Sequence, residues 1–419
     1  DAGGGTMTAV SESCDIAIVG GGLVGSLLAL ALAEQSQTLL ERGCQPWRVT
    51  LLERHAMVAQ PLHGDSALAG RSTALSESTR QLLLKLGLWS HIEPHCAPIS
   101  TIHVSERGSW GVTRLEASES GLAALGYVVE NQPLLAELHR ALASTAVTVR
   151  APVAVVGLSA GRQQQLQLSD GALTSALVVS AEGSASQLLA AQGIHWQRSD
   201  YQQQAIIANL SLAQPHQGVA YERFAEGGPV ALLPLPDSAG LHRMALVWTH
   251  PEGQQQYWLD ASDSEFCQRL EQLFGERIGA VTAVGERRAF ALGLQRSSEQ
   301  VRRGLVVLGN AAHTLHPVAG QGFNLSVRDV AALADELLAD RLDGAEAGDL
   351  AALERYCQRQ QCDQQQTIAF SHWLPKLFAS RWPGAALLRR SGLAAMEGLT
   401  PLRQRFAAFG MGSDRGVLR

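Results

Sequence analysis

Three glycines near the amino terminus have a spacing that can hold a phosphate against the start of a helix. Gly20, Gly22 and Gly25 form a G-x-G-x-x-G pattern after the apolar run that begins at Ile16, and an Ala/Leu-rich helical pattern follows. In this context the first glycine permits a tight turn, the second lets the backbone approach a pyrophosphate, and the third lets the helix pack on the strand. The helix amino terminus adds N–H groups that favour an anion. The sequence therefore predicts a dinucleotide site.

An acidic residue completes this pattern. Glu53 ends the strand-like stretch WRVTLLERH, where a carboxylate can accept hydrogen bonds from ribose hydroxyls. It lies further along the chain than in the shortest dinucleotide motifs, because SQTLLERGCQPW lengthens the connection from helix to strand. A glycine-rich turn with a purely structural role is the alternative interpretation.

A second glycine-rich stretch, residues 304–329, reads GLVVLGNAAHTLHPVAGQGFNLSVRD. Its two histidines, His313 and His316, are three residues apart, a spacing compatible with two metal ligands on one helix face. Pro317 biases His316 away from helical geometry, and no nearby Cys, Asp or Glu completes a ligand set. We therefore predict no metal site in this stretch.

The whole chain is long enough for more than one core. Its 419 residues predict two domains, and a composition with 46% hydrophobic residues can fill a large interior. The formal charge of -6 argues against nucleic acid as a partner. The six cysteines are scattered without metal or redox spacing, which is typical of reduced thiols in a cytosolic protein. Residues 1–13, which include DAGGGT before Met7, are predicted to be a tag and a disordered start.

An uncharged stretch, residues 16–33, approaches the length of a membrane span. Its three consecutive glycines and the polar Ser26, with Glu34 directly after it, favour a buried strand, a tight turn and a buried helix instead. The residues before it show neither the positively charged region nor the small-residue cleavage site of a signal peptide.

The pattern changes over residues 202–288 to short strands separated by turn residues, as in an antiparallel sheet. Such a sheet would form the wall of a substrate pocket. Tyr221, Phe224 and Trp248 are candidates for its lining, and a place in the core is the alternative for each.

A helical pattern covers residues 325–366, and a basic tail follows it. Arg328 and Asp329, near its start, are expected to pair or cap within the helix. Beyond Ser371 the chain has eight basic and two acidic residues, interleaved with Trp and Leu. This tail predicts either a helix lying on an anionic membrane surface or an ordinary docking helix.

These segments together resemble the flavin-dependent aromatic hydroxylases of the p-hydroxybenzoate hydroxylase superfamily. In that family the glycine motif, with the positions of Glu53 and Arg54, binds the adenosine half of FAD. The stretch LVVSAEGSASQLLAAQGI is similar to the family's Asp-Gly motif, which helps hold FAD and NAD(P)H. Here Glu182 and Gly183 take the place of the acid and glycine, and Leu189 stands at the position where an arginine is usual.

The stretch GNAAHTLHPVAGQGFNLSVRD is similar to the family's Gly-Asp motif and to the helix beneath the flavin. Gly309 is followed by Asn310, where most members have an aspartate that bonds the ribityl chain, and an asparagine amide can still bond hydroxyls. Backbone N–H groups after it, with the helix dipole, can meet the negative charge that builds on a reduced flavin ring. The flavin contacts that the resemblance implies in this segment are Pro317, Gly320, Gly322, Phe323 and Asn324.

One arginine of the amino-terminal half belongs to the same resemblance. Arg71, in GRSTALSEST, matches an arginine segment near the flavin and its entrance. A solvated loop cation is the alternative. Pro317 and Gly320 are the residues expected closest to the reacting part of the flavin, and no side chain is assigned as a general base.

Within the superfamily the likeness is closest to the ubiquinone-biosynthesis hydroxylases, in particular those acting on 2-polyprenyl-6-methoxyphenol. It rests also on ERFAEGGPVALLPLP, ALVWTHP and FASRWPGAALLRRSGL. It implies an FAD-dependent monooxygenase that uses NADH or NADPH and O2, and hydroxylates a polyprenylated phenol through a flavin C4a-hydroperoxide. The alternatives are the same chemistry on a soluble aromatic acid, and a non-catalytic FAD-binding scaffold in a biosynthetic assembly.

The predicted fold class is α/β: a Rossmann-like FAD-binding domain with an interleaved antiparallel-sheet substrate domain and a C-terminal helical tail. The FAD-binding domain is assigned to residues 14–80, 100–200 and 289–366, the substrate domain to 81–99 and 201–288, and the tail to 367–419. The resemblance also implies other ubiquinone-biosynthesis proteins as partners, and a cytoplasmic location with peripheral contact to the inner face of the cytoplasmic membrane.

Overall fold

The structure is a computed structural model that describes residues 12–57, 67–106, 112–184, 186–225, 227–315 and 320–379. Its strands are β1 (Glu12–Val19), β2 (Val49–Leu52), β3 (Ser72–Leu75), β4 (Cys96–Ile99), β5 (Thr101–Glu106), β6 (Val112–Glu116), β7 (Gly126–Glu130), β8 (Thr148–Arg150), β9 (Val155–Ser159), β10 (Gln164–Leu168), β11 (Gly171–Ser180), β12 (Trp196–Leu212), β13 (Val219–Ala225), β14 (Gly228–Ser238), β15 (Leu241–Pro251), β16 (Val281–Val284), β17 (Arg288–Ser297), β18 (Val301–Arg302), β19 (Leu305–Val307) and β20 (His313–Thr314). Its helices are α1 (Leu23–Glu41), α2 (Glu77–Lys85), α3 (Trp89–Ile92), α4 (Asn131–Leu142), α5 (Gln187–Ala191), α6 (Gln255–Asp260), α7 (Asp263–Phe274), α8 (Gln321–Leu342) and α9 (Leu350–Ala379).

The first sheet has a parallel centre with the strand order β8-β2-β1-β11-β19. The antiparallel strands β9, β10 and β18 extend it. Ile16, Ala17 and Ile18 of β1 are all fully buried, because a parallel sheet is covered on both faces and its strands are apolar on both sides. This is the Rossmann-like sheet that the sequence predicts.

Helix α1 packs against α4 and α8 on one face of this sheet. Among the described residues, α1 alone is long and apolar enough to match a membrane span. Leu27, Leu28 and Leu32 are nonetheless almost fully buried in the core. A core helix passes the same test of length and composition, so the match is weak evidence for a span.

The second sheet has nine strands in the order β20-β17-β12-β15-β14-β13-β5-β6, with β16 paired to β12. All pairs are antiparallel except β13 with β5. Ile206, Leu232 and Leu246 lie on one face and pack under α7. Leu235 and Ala245 lie on the other face, which packs against the three-stranded sheet β3-β7-β4.

The α/β fold class with an interleaved antiparallel domain is confirmed. The predicted domain boundaries stay predictions, and three of the assigned segments pair or pack across them. Residues 101–106 and 112–116, assigned to the FAD-binding domain, form β5 and β6 of the nine-stranded sheet, and residues 288–297 form its β17. Residues 81–99, assigned to the substrate domain, place Leu82, Trp89 and Ile92 in the core beside α1. Short alternating strands do not reveal their partners, so the local pattern does not say which sheet such a segment joins. Of the predicted tail, residues 367–379 continue α9, and the rest lies outside the described residues.

Candidate cofactor and substrate site

A cavity of about 640 Å³ lies where the carboxyl ends of the parallel strands meet the nine-stranded sheet. Eleven of the predicted cofactor residues line it: Gly20, Gly22, Glu53, Arg54, Arg71, Glu182, Gly183, Asn310, Gly320, Gly322 and Phe323. Segments that are far apart in the sequence therefore converge on one site. This is the switch-point location at which open α/β sheets bind their ligands.

The three motif glycines have different geometric reasons to be glycine. Gly20 has φ +109°, and a Cβ there would lie 2.7 Å from the carbonyl oxygen of Ala181. A Cβ at Gly25 would lie 1.9 Å from the carbonyl oxygen of Gly20, so α1 could not approach β1 as closely. A Cβ at Gly22 would have no atom within 4 Å. Gly22 thus faces open space in the cavity, as a cradle for a phosphate requires.

The first turn of α1 is open to an anion. Its N-cap is Gly22, no side chain caps it, and its first turn has no acidic residue. The N–H groups at this end and the positive end of the helix dipole are therefore available to a ligand.

The carboxylate of Glu53 lies directly after β2 at the rim of the cavity. Its Oε2 accepts a hydrogen bond from the Gly21 N–H at 2.7 Å, and its Oε1 accepts one from the His55 N–H at 2.9 Å. The Gly21 carbonyl in turn accepts a hydrogen bond from the Ser26 hydroxyl at 2.9 Å. A carboxylate has about four acceptor positions, so Glu53 keeps capacity for ribose hydroxyls while it braces the glycine turn.

Glu182 and Gly183 follow β11 on the opposite side of the glycine turn. The Ser186 hydroxyl donates to Glu182 Oε2 at 2.6 Å and accepts from the Leu189 N–H at 3.1 Å, which caps α5. Leu189 is fully buried in the core with Leu188. Leu189, which stands where an arginine is usual in the family, therefore belongs to the core and provides no positive charge for a nicotinamide phosphate.

The flavin segment, residues 304–327, meets the cavity at Asn310, just before β20, and again at Gly320, just before α8. Asn310 is exposed and lines the cavity, and Gly309 before it has φ +68°. Gly320 has φ +62°, and a Cβ there would lie 3.0 Å from that of Ala74, so only a glycine brings the start of α8 so close to β3. Pro317 and His316 lie outside the described residues.

Three predicted cofactor residues, Gly25, Gly309 and Asn324, lie behind the cavity lining. Asn324 is buried, and its amide is fully used: Oδ1 accepts from the Ser76 N–H and the Thr79 hydroxyl, and Nδ2 donates to the carbonyls of Ala74 and Gly320. Its role in this structure is to tie α8 to β3 and α2. The sequence does not show this, because the partners are about 250 positions away.

The charged pair after the flavin segment does not stay within its helix, which corrects the expectation from the sequence. The Asp329 carboxylate accepts from Gln364 and is hydrogen-bonded to His313 Nε2 at 2.8 Å. The Arg328 guanidinium pairs with Asp363 on α9. Within the described ranges, no group of three His, Cys, Asp or Glu side chains has the arrangement of a metal site.

Arg71 lies on the cavity wall with its guanidinium carbon 4.5 Å from the centre of the Phe290 ring. This stacking orders the side chain at the edge of the cavity. The face of the nine-stranded sheet on which Phe290 lies is apolar and was not predicted residue by residue: Ile207, Leu233, Ala245 and Val247 line the cavity from β12, β14 and β15. Only alternation along these strands could have indicated them.

Two of the three aromatic candidates for the substrate pocket face away from the cavity. Trp248 packs with Phe266 under α7. Tyr221 also packs on that side, and its hydroxyl donates to the Arg277 carbonyl at 2.9 Å. For these two the core alternative is correct. Phe224 is buried on the other face of β13.

The chain is similar to known FAD-binding proteins over most of its length. The family model described as FAD binding domain matches residues 13–371. The chain is 34% identical over 405 residues to the ubiquinone hydroxylase UbiL of Rhodospirillum rubrum, covering 95% of this chain and 90% of the relative. It is 32% identical over 411 residues to the 3-demethoxyubiquinol 3-hydroxylase of Escherichia coli, covering 96% and 99%.

Solved structures share the fold. The crystal structure of PqsL from Pseudomonas aeruginosa in complex with 2-aminobenzoylacetate has a TM-score of 0.74 and 21% identity, covering 90% of this chain and all of that one. The p-nitrophenol 4-monooxygenase PnpA of Pseudomonas putida has a TM-score of 0.72 and 17% identity, covering 96% and 98%.

Proposed function

The chain belongs to the FAD-dependent hydroxylases of ubiquinone biosynthesis, and from this premise we propose that its substrate is a polyprenylated phenol, specifically 2-polyprenyl-6-methoxyphenol. As a member of this family it is a monooxygenase that uses FAD, NADH or NADPH, O2 and a phenolic substrate. The observation that carries the proposal is the apolar wall opposite the glycine motif, formed by Ile207, Leu233, Ala245 and Val247.

The residues around the cavity fit FAD. The open face of Gly22 and the uncapped start of α1 would hold the pyrophosphate, and Glu53 would bond the ribose hydroxyls. Asn310 would bond the ribityl chain, and the backbone from Gly320 would meet the ring edge. When bound, the flavin supplies hydride acceptance from NAD(P)H and activation of O2, by the peroxide chemistry that the resemblance implies.

The protein's own contribution is to position the ring and exclude water. An apolar sheet face can hold an uncharged aromatic ring against the cofactor, because the ring loses little hydration on entering. A dry site also protects a reactive oxygen species from side reactions. The specific oxygen chemistry and the ring position are parts of this proposal.

A soluble aromatic acid is a second candidate substrate, favoured by one observation. Arg71 lines the cavity and could bind a carboxylate. Its stacking on Phe290 and the apolar wall beside that ring favour the phenol.

The test measures NADH and NADPH oxidation by the FAD-loaded protein with a short-chain 2-prenyl-6-methoxyphenol and with 4-hydroxybenzoate. We expect oxidation to depend on the prenylated phenol, with one ring oxygen derived from labelled O2. Coupled hydroxylation of 4-hydroxybenzoate alone would favour the acid, and bound FAD that is never reduced would favour the non-catalytic scaffold. Mass spectrometry of quinone intermediates in a deletion strain would then identify the ring position.

The proposal includes a cytoplasmic location at the membrane surface. Its support is Trp373 near the end of α9, which is 65% exposed, with the Lys376 ammonium 5.4 Å from its ring. Exposed Trp and Lys are the residues that anchor a protein in the headgroup region. Sedimentation with anionic vesicles should fall in Trp373→Ala, and unchanged sedimentation would contradict this use of α9. The basic tail beyond it lies outside the described residues, and association with other proteins of the pathway stays a prediction.

A further inference from the structure

Glu222 is an acidic side chain on a strand of the nine-stranded sheet, outside the cofactor motifs. It lies on β13, directly opposite Ala231 of β14 and beside Val104 of β5. Directly paired residues point their side chains to the same face of a sheet. Both cross-strand neighbours of this carboxylic acid are therefore apolar.

The face on which Glu222 lies is the face of the cavity. Ala231 is opposite Val247, and Val247 is opposite Ile207; both of these line the cavity. Leu233, two residues beyond Ala231, also lines it, which makes Leu233 the diagonal neighbour of Glu222. Diagonal neighbours across a pair of strands are about 7–8 Å apart, within reach of a long side chain. Glu222 itself lies on β13, at the edge of the lined wall and one strand beyond Leu233, and a side chain of its length can extend toward a ligand that lies against the wall.

No described residue forms a hydrogen bond with this carboxyl or shifts its pKa by its charge. Among the described residues it has no hydrogen bond or ion pair, and burial alone raises the pKa of Glu222 to about 7. On its own strand Arg223 points to the opposite face and donates to Ser105. On β5 the same-face titratable group is Glu106, and on β6 the residue opposite Val104 is the uncharged Thr113. From β14 and β15 the same-face neighbours, Ala231 and Val247, carry no charge.

A role in the fold does not explain such a residue. A partly buried carboxyl without a partner costs free energy relative to an apolar or amide side chain of similar size. The sheet would accept a glutamine or leucine at this position. A ligand that donates a hydrogen bond would remove the cost.

We propose that Glu222 binds the ring hydroxyl of the phenolic substrate and accepts its proton as the ring is hydroxylated. The phenol O–H donates to the carboxylate, the proton moves from the phenol oxygen to Glu222, and the electron pair of that O–H bond stays on the oxygen. The resulting phenolate is more electron-rich, and the carboxylic acid returns its proton to water after product release. A carboxylate whose proton affinity is raised toward neutral pH is a better base than an ordinary glutamate. The inference rests on the proposed function.

The experiment compares the FAD-loaded wild type with Glu222→Gln and Glu222→Leu. The matched control is Glu116→Gln, at an exposed glutamate on β6 of the same sheet. The probes are 2-prenyl-6-methoxyphenol and its O-methyl ether. Binding is read from the change in flavin absorbance between pH 5.5 and 8.5, and turnover from substrate-dependent NAD(P)H oxidation.

We expect the wild type and Glu116→Gln to bind the phenol about tenfold or more tightly than the ether, and to show an ionisation near pH 7 in turnover. Both Glu222 variants should bind FAD normally, lose the preference for the phenol, lose that ionisation, and turn over about 100-fold more slowly. Variants that keep the preference and the wild-type pH profile would overturn the role of Glu222 while leaving the proposed function intact. A wild type that hydroxylates no prenylated phenol would overturn both.

Discussion

Two glycines of the motif have different roles. The fold requires Gly25, and we propose that cofactor binding requires Gly22. In Gly25→Ala the new Cβ would lie 1.9 Å from the Gly20 carbonyl oxygen, about 1.1 Å closer than the 3.0 Å that Cβ atoms respect. The obstacle is backbone, so α1 must move away from β1. Overpacking of this kind costs about 1–3 kcal/mol, and we expect the upper end.

In Gly22→Ala the new Cβ meets no atom within 4 Å, and φ is -71°. Loss of glycine at the N-cap costs about 0.5–1 kcal/mol, and the reduced freedom of the unfolded chain offsets a similar amount. The cofactor-free protein should therefore keep its stability to within about 0.5 kcal/mol. The methyl group fills the space predicted for the pyrophosphate, so FAD affinity should fall at least about tenfold.

The assay is thermal unfolding of the cofactor-free variants together with FAD titration followed by flavin fluorescence. Gly25→Ala should lower the unfolding midpoint by about 3 °C, and Gly22→Ala should leave it unchanged while weakening FAD binding. Wild-type FAD affinity in Gly22→Ala would refute the placement of the pyrophosphate at this turn. A wild-type midpoint in Gly25→Ala would refute the steric argument for α1.

Three further substitutions test the charges around the site. Arg243 is 2% exposed and pairs with Glu130, so Arg243→Met should lower the free energy of unfolding in denaturant by about 3–5 kcal/mol. The double variant Arg243→Met/Glu130→Leu should lose much less, because it leaves no buried charge without a partner. Equal losses in the two variants would contradict the pairing. Glu53→Gln keeps only one acceptor oxygen and removes the charge, so FAD affinity should fall roughly 10–100-fold by titration, whereas an unchanged affinity would exclude Glu53 from the ribose site. Burial, with a nearby arginine, lowers the pKa of His250 to about 4. The unfolded chain therefore binds a proton at this residue more readily than the folded chain. The free energy of unfolding should fall by up to about 3 kcal/mol as the pH falls from 6.5 to 4. His250→Leu should flatten this acid limb in unfolding measured against pH, and an unchanged limb would assign it to other groups.

The parts of the site that the sequence predicts are those whose reason is local. Gly20 and Gly25 are specified by a turn and a helix within six residues of each other, and Glu53 by the end of the next strand. This spacing does not depend on how the rest of the chain is arranged. The convergence of these residues with Glu182 and Asn310 on one cavity follows from the order of parallel strands, which the α/β pattern also predicts.

The parts that the sequence does not predict depend on distant partners. Arg243 and Glu130 are 113 positions apart, and the Asn324 amide bonds residues about 250 positions away. The position of β5 and β6 in the nine-stranded sheet depends on the parallel pairing of β5 with β13. Neither alternation nor propensity within a short segment contains this information, because both describe which face is buried and not what covers it.

The flavin segment and the two charges after it depend on both a local pattern and contacts with distant residues. Over residues 304–327 it has no Asp, Glu, Lys or Arg, and the two charges that follow are both buried and point away from the cavity. Asp329 is hydrogen-bonded to His313 and Gln364, and Arg328 pairs with Asp363, so each charge anchors α8 to a neighbouring element. A carboxylate facing a flavin would oppose the negative charge that the ring acquires on reduction, and at a short distance in a dry site this opposition is strong. Burying these charges behind α8 therefore fixes the helix in place and keeps both charges away from the cavity, as the proposed contact of this segment with a flavin requires.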